Sequence, residues 1–357
     1  MPIDFVSNEE VVLAARRNLN QAAWDYLAGG SESETTLRRN RLAFDRIAFR
    51  PRVLVDVSEI DTSTTFLGQR LRIPVMLAPV GTMQAFTQDG GAAGAAAAGE
   101  FGTIQVVSSA TEPSLEAIAA GGGGPKIFQL YVRGDLAWVK DIVERVKASG
   151  YIGFCITVDL AVYSRRERPI LGRSVRTRIA SEARYLAQLT WEVMDRIKEM
   201  SDPLPFLLKG VATAEDAALA VEHGVDVVWV SNHGGRQLDH GRGTMDMLPE
   251  IVEAVGGRAD IVVDGGIQRA SDVAKAIAMG AKAVAIGKLQ GWGLGAGGKN
   301  GLVRVLELLE NELISAMGLL GVTSIDQLNP KYVCKAEPVT FPHEMSAWVN
   351  MPGGRIL

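Results

Sequence analysis

The residues best equipped for chemistry lie in one stretch, 226–239, which reads DVVWVSNHGGRQLD. His233 and Arg236 stand three positions apart there, with Gly234 and Gly235 between them. Imidazole is the side chain whose ordinary pKa lies nearest neutrality, so it suits a general base. Guanidinium grips carboxylates through paired, charge-assisted bonds. Together they fit removal of a proton from an anionic substrate. The stretch opens with an apolar run, Val227–Val230, of the kind that forms a strand buried on both faces. Ser231 and Asn232 close that run. Other apolar runs end in the same way, on Pro79, Val80 and Gly81; Ser108 and Ser109; Gln129 and Tyr131; Thr157 and Asp159; Lys209; Asp264, Gly265 and Gly266; and Gly287 and Lys288. Turn formation explains any one of these clusters. It does not explain all of them, because a turn needs only turn formers.

Such clusters need a scaffold that brings strand ends to one place. Strand-like runs fall at 74–79, 103–107, 127–131, 152–159, 205–210, 226–232, 259–266 and 281–288. Segments with helical character separate them, at 91–101, 114–120, 135–148, 191–200, 213–223, 247–255 and 271–279, and 301–317 follows the last. Ser114, Thr213 and Ser271 read as N-caps, and Gly102, Gly150, Gly224 and Gly280 as stops. Alternation of this kind implies right-handed βαβ units. Eight of them close into a (β/α)8 TIM barrel, whose chemistry sits at the C-terminal ends of the strands. Residues 7–45 predict helices, with Ser7 and Glu10 as a capping box and Gly29-Gly30 ending the second. Residues 46–72 predict a small hairpin over one end of the barrel. The connection after the fourth strand, 160–190, is long, carries Arg165, Arg166, Glu167, Arg168, Arg173, Arg176 and Arg178, and lacks a core pattern. It reads as a lid or mobile binding loop. Residues 320–357, with Pro330, Pro338, Pro342 and Pro352, read as an irregular tail. One domain is expected over 1–357, with 1–73 as its cap.

With 357 residues, 47% hydrophobic, the chain can bury a large core. A net charge of -4 gives no reason to expect nucleic acid or an anionic membrane as partner. Cys155 and Cys334 make no disulfide framework, and no metal-ligand cluster is expected. The acidic start MPIDFVSNEE lacks an apolar signal region, and no apolar run reaches about 18 residues. A cytoplasmic, non-membrane protein is expected.

DGGI at 264–267 and IGK at 286–288 place backbone N–H groups where barrels commonly bind phosphate. Ser108, Gln129 and Thr157, with Lys209, form a ring of polar groups suited to a flat heterocycle. A flat, phosphate-bearing cofactor beside a histidine points to FMN. No Rossmann-type glycine fingerprint sits at a βα turn, which argues against a dinucleotide.

SNHGGRQLD, LLKG (207–210), FQLY (128–131), TVD (157–159), APVG (78–81), DGGI and WDYLAGG (24–30) occur in the order found in the FMN-dependent 2-hydroxy-acid oxidases and dehydrogenases. The chain resembles that family over residues 1–328. The resemblance implies oxidation of an (S)-2-hydroxy acid to the 2-oxo acid, with O2 or another electron acceptor, by a homo-oligomer of the tetrameric kind. It implies His233 as base and Asp159 as its partner. Arg236, Arg166 and Tyr26 would bind the substrate carboxylate, and Tyr131 its hydroxyl. Lys209 would lie by the flavin N1–O2 edge. Ser108, Gln129, Thr157 and Ser231 would hold the ring and ribityl chain, with the backbone at Val80 and Gly81 facing N5 and Pro79 also at the cofactor. Asp264, Gly265, Gly266, Gln268, Gly287 and Lys288 would line the rest of the cofactor site. Two departures stand out there: the family's phosphate arginines are replaced by Gln268 and Lys288, with Arg269 next to the first. Ala110 stands where plant glycolate oxidases carry Trp, which implies room for a medium-to-large side chain. Gly81, where several oxidases carry Ala, leans toward a dehydrogenase, while the expected solubility leans toward an oxidase. The alternative reading keeps the flavin and changes the substrate to a modified amino acid, amine or larger metabolite. A non-catalytic flavin-binding protein is the third class.

Overall fold

The computed structural model of the chain describes residues 4–173, 180–339 and 343–349, with the side chains of 180–182 outside that description. Ser7 accepts from the Glu10 N–H and starts α1 (Asn8–Asn18), while the Glu10 carboxylate accepts from Val6 N–H. Asn20 caps α2 (Gln21–Ala28), which ends at Gly29 as the sequence predicts. After α3 (Thr35–Asp45) comes β1 (Ile47–Phe49), then a hairpin of β2 (Thr64–Phe66) and β3 (Gln69–Leu71). Phe66 and Leu71 are buried with Met76, Ile104 and Ile127. The hairpin therefore plugs the barrel floor, as expected.

The eight predicted strands are present as β4 (Val75–Leu77), β5 (Gln105–Ser108), β6 (Lys126–Leu130), β7 (Gly153–Thr157), β8 (Phe206–Val211), β9 (Val227–Val230), β10 (Asp260–Asp264) and β11 (Ala283–Ile286). Each pairs in parallel with the next, and β11 pairs back onto β4, which closes the TIM barrel. Their residues are almost all buried because one face lines the interior and the other meets the helices. Inside, Trp229 belongs to one buried cluster with the small Ala78, Ala283 and Ala285, which leave room for it.

The helices follow in turn: α4 (Gly90–Phe101), α5 (Leu115–Gly121), α6 (Leu136–Ala148), α7 (Glu167–Leu171), α8 (Ala180–Ala187), α9 (Trp191–Ser201), α10 (Ala214–Glu222), α11 (Thr244–Val255), α12 (Ala270–Ala278) and α13 (Lys288–Leu320). Ser114 and Thr213 cap as expected. Ser271 does not: it lies inside α12, and the Asp272 carboxylate accepts from the Gln268 and Arg269 N–H groups instead. α13 begins directly after β11 rather than at 301, and is interrupted at Gly297-Gly298. Its glycines hide it from propensity. Gly291 and Gly295 are needed for packing, since a Cβ on either would strike Leu27 or Leu19.

Two further expectations need correction. The connection at 160–190 does have a core anchor: it folds α7 and α8, and its Leu160 and Leu186 are buried against Tyr131. Arg176 and Arg178 lie outside the described residues. The tail is not wholly irregular either. Its β12 (Val333–Lys335) pairs antiparallel with β1, and Met345 and Trp348 are buried. Pro342 and Pro352 lie outside the described residues. Among the described residues no helix is long and apolar enough to cross a membrane, and none form a metal-binding cluster.

Candidate active site

The C-terminal mouth of the barrel collects the polar strand ends. His233 follows β9 with a φ of +58°, in the left-handed region, and Gly234 and Gly235 continue there at +64° and +74°. Gly235 also passes so close to α3 that a Cβ would sit 2.6 Å from the Leu37 backbone. This turn swings the imidazole back over the barrel. His233 Nδ1 lies 2.8 Å from Asp159 Oδ1, and Nε2 lies 3.4 Å from the Tyr131 hydroxyl. With Nδ1–H donating to the carboxylate, Nε2 is the free basic nitrogen. Asp159 sits just past β7, pressed against Gly210, whose φ is +114° and whose Cβ would lie 2.8 Å from that of Asp159. The glycine of LLKG is thus required by the partner of the base.

Burial pushes the His233 pKa below its ordinary value, against the opposing pull of Asp159. Burial would raise the Asp159 pKa, but the imidazole, its hydrogen bond and Lys209 outweigh it, so the carboxyl is held low. The resting pair is therefore a neutral imidazole on a carboxylate, ready to accept a proton. Burial pushes the Tyr131 phenol up, and Asp159 and Tyr26 add to that, so it remains a hydroxyl donor.

Lys209, at the end of β8, donates to Ser231 Oγ at 2.8 Å and pairs with Asp264 Oδ2 at 3.1 Å. Burial works against its charge, but Asp264 and Asp159 more than restore it. Asp264 also accepts from Ser231 Oγ and from the Trp229 indole. Gln129 donates to Thr157 Oγ1 at 2.9 Å, and its own carbonyl oxygen is buried without a partner. Ser108 Oγ accepts from the Ala110 N–H, and Ser109 Oγ from that of Tyr131.

On the substrate side, the Tyr26 hydroxyl donates to Gly81 O at 3.1 Å. The Arg236 guanidinium lies 4.8 Å from the Tyr26 ring centroid and donates to the carbonyls of Tyr26 and Gly29. Arg166 donates to Ser164 Oγ, Arg236 O and Gln237 Oε1. Ala110 and Tyr163 pack beside the Tyr131, Leu160 and Leu186 cluster.

The phosphate end is arranged less as expected. Gly265 and Gly266 have φ of +95° and +86° and follow β10 at the mouth. Gly287 precedes the first turn of α13, whose N–H groups lack intrahelical acceptors and favour an anion. Lys288 is not presented as a free point charge. Its ammonium is turned to the carbonyls of Leu27, Ala28 and Gly29, where it caps α2. Burial and the neighbouring Arg236 lower its pKa well below the ordinary value. The Gln268 amide donates to Glu344 O, and its own oxygen has no partner. Arg269 does not turn inward: it pairs with Glu312 and lies over the Trp348 ring. Arg168 bridges Glu34 and Glu344 beside this end.

Several contributors escaped the sequence reading. Gln237 donates to the carbonyls of Asp159 and Val162 while accepting from Arg166, and so ties Asp159 to Arg166. Asp239 caps α3 at the Thr35 and Thr36 N–H groups. Both belong to the SNHGGRQLD stretch, which was the available signal. Trp229 reads only as part of the apolar run Val227–Val230, and Leu186 gave no signal.

The site defines a class: a TIM-barrel flavoprotein with a buried histidine–carboxylate pair at its mouth. The family model for FMN-dependent dehydrogenases matches residues 15–335. An L-lactate oxidase of Nostoc sp. is 40% identical, over 93% of this chain and 98% of its own. Glycolate oxidase 3 of Arabidopsis thaliana is 38% identical, over 93% and 96%. A crystal structure of mandelate oxidase, 36% identical, covers 94% of this chain and all of its own, with a TM-score of 0.87. The chain belongs to the FMN-dependent dehydrogenase family. It is an oxidoreductase, and its cofactor is FMN. The residues present fit the cofactor ring, since the orphaned Gln129 carbonyl oxygen and the Lys209 ammonium offer complementary partners for its polar edge.

Proposed function

We propose that the chain oxidises an (S)-2-hydroxy acid with a medium-to-large side chain to the 2-oxo acid. The observation that carries this reading is the buried His233–Asp159 pair at 2.8 Å, with Nε2 facing Tyr131 and two arginines alongside. In this reading Arg166, Arg236 and Tyr26 hold the substrate carboxylate, and the Tyr131 hydroxyl steadies the substrate oxygen. Nε2 of His233 takes a proton, and the Asp159 carboxylate stabilises the imidazolium. FMN, when bound, accepts the two electrons. Lys209 provides positive charge at the pyrimidine edge, while Ser108, Gln129, Thr157 and Ser231 hold ring and chain. Pro79, Val80 and Gly81 form the wall opposite, and Asp264, Gly265, Gly266, Gln268, Gly287 and Lys288 the far end. The larger side chain rests on the small size of Ala110, which packs against the Tyr131, Leu160 and Leu186 cluster.

The test is anaerobic mixing of the purified flavoprotein with a panel of 2-hydroxy acids. Bleaching of the flavin by mandelate or phenyllactate is expected, and re-oxidation in air separates oxidase from dehydrogenase. His233→Ala should keep the flavin and lose turnover by about 10²-fold or more. No bleaching by any hydroxy acid would favour the amine or larger-metabolite reading. We also propose a cytoplasmic homo-oligomer. Val53 and Leu54 stand exposed, Leu54 with a φ of +59°, and an exposed apolar loop held in that conformation suits a subunit contact. A monomeric mass by light scattering would refute it.

A further inference from the structure

Lys209 is held by a carboxylate that has a second buried partner. Trp229 is fully buried inside the barrel, level with Lys209 in the β8–β9 register, and its indole N–H donates to Asp264 Oδ2 at 3.0 Å. That oxygen is the one paired with Lys209 Nζ at 3.1 Å. The other carboxylate oxygen accepts from Ser231 Oγ at 2.7 Å, and Ser231 Oγ accepts from Lys209 Nζ and from the His233 N–H. The ammonium lies 5.6 Å from the centroid of the indole. We propose that Trp229 is a positioning residue: by holding Asp264, its N–H sets how much of the Lys209 charge faces the flavin. The inference rests on FMN occupying the barrel mouth as described above.

Filling the interior beside Ala78, Ala283 and Ala285 requires volume, and Phe would supply most of it. Volume alone does not call for an indole N–H aimed at a carboxylate. An Asp264 oxygen shared between indole and ammonium binds the ammonium less tightly than one facing the ammonium alone. Of the three ammonium donors, Ser231 and Asp264 engage two, which leaves the third for the cofactor. Without the indole, Oδ2 of Asp264 faces Lys209 alone and offsets more of its charge, while Oδ1 stays on Ser231. Negative charge on the pyrimidine edge of the flavin then loses support. The same network ends at the His233 backbone, so Trp229 also steadies the turn that carries the base.

Sulfite provides the probe, because it adds reversibly to flavins and leaves negative charge on that edge. In Trp229→Phe the sulfite dissociation constant should rise about tenfold, and the flavin midpoint potential should fall. Flavin content and the KM for substrate should stay near those of the parent. Val262→Ala serves as the packing control: Val262 pairs with Trp229 in register and loses volume while the N–H stays. It should leave sulfite binding unchanged. If Trp229→Phe does not fold, 3-benzothienylalanine at the same position removes the N–H with the shape kept. Unchanged sulfite affinity and potential in whichever variant folds would overturn the proposal. So would an equal shift in Val262→Ala. Absence of flavin from the parent protein would instead overturn the reading of the cofactor site.

Discussion

Replacing Asp159 by Asn removes one charge and almost no volume, and it isolates what the carboxylate does for the base. The two side chains, 12% and 16% exposed, meet at 2.8 Å. Asn can still accept the Nδ1–H bond, so the tautomer is kept. What is lost is the stabilisation of imidazolium, which exists only once the proton has moved. A hydrogen bond to a charged group contributes about 1.5–3 kcal/mol, and unpairing a buried charge costs about 3–5 kcal/mol. Taking about 3–4 kcal/mol, flavin reduction should slow by about 10²- to 10³-fold. The pH profile provides a second readout with a definite sign. Burial lowers the His233 pKa from its ordinary 6.5, and Asp159 opposes that. The rate should therefore rise with pH and level off below the ordinary imidazole value in the parent enzyme. In Asp159→Asn burial acts unopposed, so the rising limb moves to still lower pH. Stopped-flow reduction under anaerobic conditions measures both. A rate within about threefold of the parent, or a limb displaced to higher pH, would refute the pairing argument.

Arg236→Met should weaken substrate binding by roughly 2–5 kcal/mol and slow reduction, with Arg236→Lys recovering only part; an unchanged dissociation constant by flavin titration would remove Arg236 from the carboxylate site. Ala110→Trp should fill the space beside Leu186 and cut kcat/KM for mandelate-sized acids more than for glycolate, since each buried CH2 contributes about 0.8 kcal/mol. A parent enzyme that prefers glycolate to every larger acid would count against that reading. Gln268→Arg should retain more FMN than the parent through dialysis at high salt, because it adds a bidentate cation where a neutral amide stands. Equal occupancy in both proteins would mean that the phosphate is held elsewhere.

The barrel was legible because eight doubly buried strands write themselves as continuous apolar runs, and strand ends carry the polar residues. His233 and Asp159 were legible for the same reason, although they lie 74 positions apart. Two kinds of feature stayed hidden. Packing that overrides propensity concealed the first part of α13, whose glycines look like a loop until the close approach of Leu19 and Leu27 is seen. Side-chain destinations were hidden as well. Lys288 reads as a phosphate ligand by position, yet its ammonium ends on three carbonyls that no local pattern announces. Leu186 was masked by the charges around it.

Those carbonyls bear on how the chain reaches its active form. The last turn of α2 lies within the first thirty residues, but the side chains that complete it belong to Arg236 and Lys288, 210 and 261 positions downstream of Tyr26 and Leu27. A ribosome therefore delivers Tyr26 long before the groups that fix it. Contacts so distant in sequence form late, after the costly closure of the chain between them. The N-terminal cap should remain open to proteases until β9 and β11 join the barrel and bring their cations to the mouth. Closure of the cap then reports that the last barrel strand is in place.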